Sequence, residues 1–401
     1  LFDDNGVTGP DWGHSEVVFR CFPLKCSHHT HFSLKLSASY SSLRRVLIFY
    51  RYLTNLTDIC QAVLKLFSSH LFFRFHIFNI SEIESLTEKC YNKQQIKFHK
   101  TERFMHMNDF ILSCCSTADL TEEHFNSRNI SYICFHYELN GKEYEDDLGK
   151  SVPFDQFYLA LQNGASAKTS QVNADEFEHY FESFLKEGKD ILHVTLSSGI
   201  SGVINSAMIA KETLEERYPE RKIYIVDSLG ASSGYGLFMN RLADLRDNGY
   251  TLEQLYDWAM QHRLNLHHWF FSTDLTFYIK GGRISKTAGT IGGLLGICPL
   301  LNMNDEGKLI PRQKIRTKKK VIRAIVDKME EFADNGLEYN GKCYISQSAC
   351  MDNARAVADL VEARFPNLNG KVEIHSIGTA IGSHTGPGTV ALFFWGSTRT
   401  H

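Results

Sequence analysis

The chain has 401 residues and a formal net charge of −3, which is typical of a globular protein with two or three domains. A charge so close to neutral excludes nucleic acid as the main partner. No run of about twenty apolar residues predicts a membrane span. The 10 cysteines form neither paired Cys-x-x-Cys knuckles nor the pattern of a small disulfide framework, so we expect reduced thiols in a cytoplasmic protein.

The first methionine is Met105, and the residues before it show little sustained periodicity. We expect residues 1–106 to be an N-terminal extension, either disordered or translated from upstream of a biological start at Met105 or Met107. A genuine extra domain is the alternative. Five candidate metal ligands cluster in this stretch: Cys21, Cys26, His28, His29 and His31. Their spacing fits no closed four-ligand site, so we expect no metal.

Regular patterns begin at residue 108 and predict a first domain over residues 107–248. Its apolar segments have the length and composition of strands at residues 109–113, 130–137, 191–196 and 223–227. Amphipathic helices are predicted between them at residues 152–162, 174–186 and 203–218. Asn173 and Glu176 form a capping box for the second of these helices. Strands that alternate with helices predict an α/β fold with mainly parallel strands.

A second α/β domain is predicted over residues 249–401. Strands are expected at residues 266–272, 343–348, 372–377 and 390–395, and helices at residues 252–263, 318–334 and 353–365. The segment 378–388 is too rich in glycine for a helix or a central strand, so we expect a rigid loop that carries His384.

Residues 197–202, with the sequence SSGISG, join a predicted strand to a predicted helix. A helix start has unpaired backbone N–H groups and the positive end of the peptide dipoles, so this turn predicts an anion site. Residues 167–171 precede the helix at 174–186, and a cap for that helix is the simplest interpretation of this segment.

The segment 278–285 places Lys280 and Arg283 beside a pair of glycines, and an uncharged segment rich in Gly, Ile and Leu follows at 288–301. Close packing of a buried helix explains this composition. An apolar tunnel wall with a cationic gate explains it too, since glycine at 289, 292, 293 and 296 leaves room for an alkyl chain. A basic stretch at 312–320 is either a solvated face or a surface for an acidic partner.

Ser201, Asp227 and His384 occur in the chain order of the α/β-hydrolase triad. The nucleophile elbow Gly-x-Ser-x-Gly is incomplete, however, because Val203 stands two residues after Ser201. A serine hydrolase that acts on lipid esters therefore stays as the alternative function.

Six motifs in one order resemble the DegV family of bacterial fatty-acid-binding proteins. They lie at residues 113–119, 169–171, 197–202, 227–236, 280–285 and 381–388. The resemblance covers about residue 107 to the end of the sequence. It implies two α/β domains with a lipid-binding cleft between them, and similarity to the acyl-binding subunit of fatty acid kinase.

The resemblance also implies roles for individual residues. Thr169 and a serine of the Ser197–Ser198 pair would bind the carboxylate of a long-chain fatty acid, with Arg283 and His384 near it. Arg316 would face the ATP-binding kinase subunit, which phosphorylates the carboxylate to supply phospholipid synthesis. The protein would then be a lipid-binding subunit without cofactor and not an enzyme. Chain length, unsaturation, oligomeric state and transient membrane contact stay open.

Overall fold

The computed structural model describes residues 110–285 and 297–400, together with the backbone of residues 15–20 and 33–38. Strands β1 (Ser15–Arg20) and β2 (Ser33–Ala38) form an antiparallel pair within a separate N-terminal unit. The predictions for the cysteine and histidine cluster and for glycines 289, 292, 293 and 296 lie outside the described residues.

A four-stranded parallel sheet is built from segments before residue 228, in the order β4-β3-β8-β9. Its strands are β3 (Phe110–Cys115), β4 (Ser131–Ile133), β8 (Asp190–Thr195) and β9 (Ile223–Asp227). The parallel order confirms the sequence prediction here. Because loops after parallel strands meet at one edge, the turns that follow β3, β8 and β9 come together.

The predicted strand at 130–137 is in fact two short strands in two different sheets. Its second half, β5 (His136–Leu139), pairs antiparallel with β6 (Lys142–Glu145) and with β7 (Ala167–Ser170). The segment 167–171, interpreted from sequence as a cap, therefore contributes a strand. Register places Thr169 opposite Tyr137.

The second sheet has six strands in the order β12-β11-β10-β15-β13-β14. Its strands are β10 (Leu266–Ser272), β11 (Ile297–Met303), β12 (Leu309–Arg316), β13 (Tyr344–Gln347), β14 (Glu373–Ser376) and β15 (Thr389–Trp395). Only β13 and β14 pair in parallel, so this sheet is mixed; the sequence predicted strands in this region but not their direction. The direct β11–β12 turn at 304–308 permits the antiparallel pairing.

Ten α-helices accompany these sheets in the described residues. They are α1 (Glu122–Ser127), α2 (Phe154–Gln162), α3 (Ala174–Lys186), α4 (Val203–Arg217), α5 (Ser232–Asp247), α6 (Leu252–His262), α7 (Thr276–Lys280), α8 (Lys318–Phe332), α9 (Met351–Arg364) and α10 (Thr379–Thr385). The predicted capping box of α3 is present, since Asn173 and Glu176 each accept from the other's backbone N–H. None of the described helices is both long and apolar enough to cross a lipid bilayer.

Helix α5 joins the two larger sheets. Its side chains are buried along almost its whole length, and Tyr235, Leu237 and Phe238 belong to one apolar cluster. That cluster contains Leu112 and Val194 of the parallel sheet. It also includes three residues of the six-stranded sheet: Phe270, Leu301 and Phe393. Residues 232–240 of the helix are completely buried, whereas Arg241 and Asp247 near its end are exposed, so its first half forms the contact between the two sheets.

The segment 378–388 differs from the prediction, because residues 379–385 form helix α10. Its glycines are explained by packing: a Cβ at Gly382 would lie 2.5 Å from the Tyr158 hydroxyl oxygen. The helix start is stabilised from a distant part of the chain. The Asp146 carboxylate accepts hydrogen bonds from the backbone N–H and hydroxyl of Thr379 and from the N–H of Ala380. Tertiary contacts thus offset the poor helix propensity of glycine.

Candidate functional site: an apolar cavity with a polar end

A cavity lies where the turns of the parallel sheet meet the six-stranded sheet. It encloses about 770 Å³ of empty space, counting its opening to solvent. Most of its wall is apolar: Phe135, Leu196, Ile200, Phe270, Met303, Leu309, Ile377, Ile381, Ala391 and Phe393. Several polar side chains also line it, and the site argument concerns four of them: Thr169, Ser201, Arg283 and His384. Three of them, Thr169, Ser201 and Arg283, also line an open polar groove outside, so the polar end forms the mouth.

Thr169 and His384 form the centre of this polar end. Thr169 lies on β7 and His384 near the end of α10, and Thr169 Oγ1 is 2.7 Å from His384 Nε2. Nδ1 of the same ring is buried and has no hydrogen-bond partner among the described residues. It faces Gly281 so closely that a Cβ there would lie 2.3 Å away. When His384 carries its proton on Nε2, it donates to Thr169, and the threonine hydroxyl is free to donate to a ligand.

His384 is neutral near pH 7. Burial, and to a smaller extent the charge of Arg283, lower its pKa to about 4. An imidazole that is neutral at pH 7 supplies a hydrogen bond and no net charge. The positive charge at the mouth therefore comes from Arg283.

Arg283 follows α7 and is half-buried at the mouth. One of its terminal nitrogens donates to the Gly281 carbonyl oxygen at 2.6 Å. Burial lowers the pKa of Arg283, and no carboxylate among the described residues raises it again. A half-buried guanidinium without an acidic partner is costly unless an anion binds to it. The geometry therefore favours an anionic ligand.

Ser197 and Ser198 do not line the cavity, in contrast to Thr169, Arg283 and His384. The buried Ser197 hydroxyl donates to the Gly307 carbonyl oxygen at 2.9 Å and accepts from the Gly199 N–H. The N–H of Ser198 donates to the Asp227 carboxylate. Ser197 thus links the turn after β8 to the turn between β11 and β12, and Ser198 links it to the end of β9.

Ser201 is the serine of this turn that reaches the cavity. The sequence analysis included it in the predicted anion-binding turn and singled it out only as the nucleophile of the hydrolase alternative. Its hydroxyl accepts from the Val203 N–H at 3.2 Å and donates to the Gln171 side-chain oxygen at 3.4 Å. The bond to Gln171 is long, so an anion at the mouth can replace Gln171 as the acceptor.

Asp146 stabilises the site through its bonds to the start of helix α10, and it was not predicted from the sequence. In addition to the start of α10, it accepts a hydrogen bond from the Ser116 hydroxyl at 2.8 Å. Burial raises its pKa, and the bonds from Thr379 and Ser116 oppose that rise. Its position within a run of three acidic residues in the sequence gave no signal of burial. Asp146 holds the helix that presents His384.

The hydrolase triad is not assembled. Asp227 accepts from the backbone N–H groups of Ser198 and Leu229, whereas His384 contacts Thr169 through Nε2. Both Ser201 and His384 line the cavity, but no carboxylate among the described residues orients the imidazole. The chain order of the three residues was therefore misleading, because it carries no geometry.

Arg316 lies at the end of β12, an edge strand, and is exposed. The other cations of the basic stretch are exposed as well: Arg312, Lys314, Lys318, Lys319 and Lys320. The strand leads back to the mouth, since Leu309, Ile310 and Pro311 at its start line the open groove. Charged side chains also protect an edge strand from unwanted pairing.

An α/β protein with an apolar cavity that is polar at its mouth has the geometry to hold an amphipathic ligand. Comparison with known proteins defines the class further. A family model for uncharacterised proteins of the DegV family matches residues 115–396. A DegV domain-containing protein of Clostridium perfringens is 35% identical over 293 residues, which cover 73% of this chain and 99% of the relative. The chain belongs to the DegV family.

Solved structures agree with this assignment. A DegV family protein of Thermus thermophilus, described as fatty-acid-binding, superimposes with a TM-score of 0.64 at 25% identity, over 72% of this chain and all of the other. The Fak B3 protein of Streptococcus pneumoniae fatty acid kinase, loaded with linoleic acid, has the same fold with a TM-score of 0.62 at 22% identity. It covers 72% of this chain and 99% of its own. The predicted α/β fold of the DegV type is confirmed.

Proposed function

We propose that the protein binds one long-chain fatty acid, with its tail in the apolar cavity and its carboxylate at the mouth. The observation that carries the proposal is the half-buried Arg283, which has no acidic partner among residues 110–285 and 297–400, beside the hydrogen-bonded pair Thr169–His384. Arg283 supplies the charge, while Thr169 and Ser201 supply hydroxyl donors. The fatty-acid binding described for the Thermus thermophilus relative supports this assignment.

The cavity offers both environments that a fatty acid needs. Each buried methylene contributes roughly 0.8 kcal/mol, so a tail of about fifteen contributes on the order of 12 kcal/mol before ordering costs. The carboxylate loses several kcal/mol of hydration unless donors replace water. Neutral hydroxyl and imidazole groups with a single cation bind the anion without trapping a product that must leave.

The protein then presents the carboxylate to an ATP-binding kinase subunit, which forms the acyl phosphate used in phospholipid synthesis. The position of the polar end at an open groove supports this step, because a partner can reach the carboxylate there. The exposed basic stretch around Arg316 provides the surface for that partner. Because the partner supplies ATP and phosphoryl transfer, this chain acts as a lipid-binding subunit in the cytoplasm and not as a separate enzyme.

Mass spectrometry of lipid extracted from the purified protein tests the first step. We expect one long-chain fatty acid per chain, and much less with Thr169→Val and His384→Gln. Thr213→Val and His179→Gln are matched controls, since both residues lie on exposed helix surfaces. Protein that neither copurifies with nor takes up a fatty acid would contradict the proposal.

An assay with an added kinase subunit and ATP tests the second step. Arg316→Gln protein should still carry fatty acid but yield less acyl phosphate, because the change affects only the partner surface. If the wild-type protein hydrolyses lipid esters and a Ser201→Ala variant does not, the hydrolase alternative is correct instead.

A further inference from the structure

The cavity wall contains a second polar position, away from the mouth. Thr117 and Ser232 both line the cavity among apolar neighbours such as Phe270, Ala391 and Phe393. Thr117 is fully buried, and its Oγ1 has no hydrogen-bond partner among the described residues. A buried hydroxyl without a partner is rare in proteins, and each instance requires an explanation.

Ser232 is held in place by a chain of hydroxyl groups. Ser232 Oγ is hydrogen-bonded to the Asp119 carboxyl group and, at 2.8 Å, to Ser346 Oγ. Its single proton serves one of these two bonds, so its oxygen accepts in the other. Ser233 Oγ lies 2.6 Å from Ser346 Oγ and continues the chain. One lone pair of the Ser232 oxygen remains free to accept. The backbone of Ser232 has φ 55°, a conformation that costs a non-glycine residue energy and that these bonds sustain.

The two hydroxyls belong to neighbouring elements. Asp119, which binds Ser232, comes two residues after Thr117, and the turn at 116–118 packs against helix α5. The Thr117 hydroxyl is free to donate or accept a hydrogen bond, and the Ser232 oxygen is free to accept one.

Helix α10 relates this position to the mouth. Ser116, next to Thr117, binds Asp146, which in turn binds Thr379 at the start of the helix. His384 lies near its other end. Five residues of helix rise about 8 Å, and neither Thr117 nor Ser232 lines the open groove. We therefore expect the second polar position to meet the tail several carbon atoms from a carboxylate at the mouth.

We propose that Thr117 and Ser232 form a subsite for a hydroxyl group on the alkyl chain, and that the preferred ligand is a hydroxylated fatty acid. The ligand hydroxyl donates to Ser232 and accepts from Thr117, so all three oxygens are satisfied. A plain alkyl chain leaves the Thr117 hydroxyl buried without a partner, at a cost in affinity. This inference rests on the proposed function, since it concerns the tail of the same ligand.

Competitive binding tests the subsite, with stearic acid measured against a positional series of monohydroxystearic acids. We expect one isomer, or two adjacent ones, to bind about tenfold more tightly than stearic acid. In the Thr117→Val variant, which keeps the side-chain shape, the ratio should fall to about one. Thr213→Val, on the exposed face of α4 and outside the cavity, should keep the wild-type ratio.

The outcomes distinguish failure of the subsite from failure of the proposed function. If stearic acid binds as tightly as every hydroxylated isomer, or Thr117→Val keeps the preference, the subsite is wrong and the fatty-acid carrier stands. If neither stearic acid nor any isomer binds, the proposed function fails and the subsite with it. The wild-type series decides even if Thr117→Val does not fold.

Discussion

The turn at 197–202 and the segment at 378–388 illustrate opposite relations between sequence pattern and site. The first has the sequence features of an anion-binding turn, yet the Ser197 hydroxyl donates to the Gly307 carbonyl oxygen and accepts from the Gly199 N–H. The second has the composition of a loop, yet it is a helix whose His384 lines the cavity. A polar side chain can bind a ligand when one of its donors or acceptors has no partner within the protein. Composition alone does not show which side chains meet this condition.

Removal of Asp146 should have the largest effect, because the second segment depends on it. Asp146→Ala leaves the Ser116 hydroxyl and the start of α10 without their acceptor, so we expect unfolding free energy to fall by about 3–4 kcal/mol. Urea denaturation measures this loss. Asp352→Ala, in an exposed position on α9, is the control. Equal stability of the two variants would show that α10 forms without its distant cap.

Neutralising Arg283 should weaken fatty-acid binding next most strongly. Charge-assisted hydrogen bonds contribute about 1.5–3 kcal/mol, so Arg283→Gln should lower affinity by roughly 10- to 100-fold. Titration with a fluorescent fatty acid measures it. Arg355→Gln makes the same charge change at an exposed position on α9 and should bind like the wild type. Equal losses in both variants would indicate a long-range charge effect and no direct contact.

His384 should contribute a pH dependence to stability. Its pKa in the folded protein is about 4, below the ordinary value of about 6.5, so the unfolded chain binds the extra proton. Its contribution is complete above pH 6.5 and is lost as pH falls toward 4. The stability difference between pH 7 and pH 5 should be about 1–2 kcal/mol smaller in His384→Gln than in the wild type. Identical pH profiles in denaturant titrations would mean that His384 is already solvated in the folded protein.

Substitutions of Ser197 and Ser201 should have the smallest effects. One should change stability and the other fatty-acid binding. Ser197→Ala should cost about 1 kcal/mol of stability and leave fatty-acid affinity unchanged. Ser201→Ala should reverse the pattern, with slightly weaker binding and normal stability. Thermal unfolding and binding titrations on both proteins test the contrast. Weaker binding in Ser197→Ala alone would restore the original assignment of the serine pair.

Much of the fold was predictable because its signals are local. The strands β9 and β10 and the capping box of α3 were predicted with the bounds and contacts observed. Thr169, Arg283 and His384 were named from the resemblance, and the structure brings them to one cavity. Strand direction in the second sheet, the helix α10 and the burial of Asp146 were missed. The pairing of β10 and β13 with β15, the start of α10 and the buried Asp146 depend on partners at least thirty residues away in the chain, and periodicity carries no information about such partners.

The complete burial of residues 232–240 in α5 has a consequence for how the molecule opens. This part of the helix packs against both larger sheets, so its backbone amides should exchange with deuterated solvent only when the body from residue 110 onward unfolds. The short helix α10, by contrast, lies at the cavity wall and can exchange through local opening. Slow exchange in α5, together with exchange in α10 that a bound ligand slows, would show in one experiment that α5 is rigid and that α10 responds to binding.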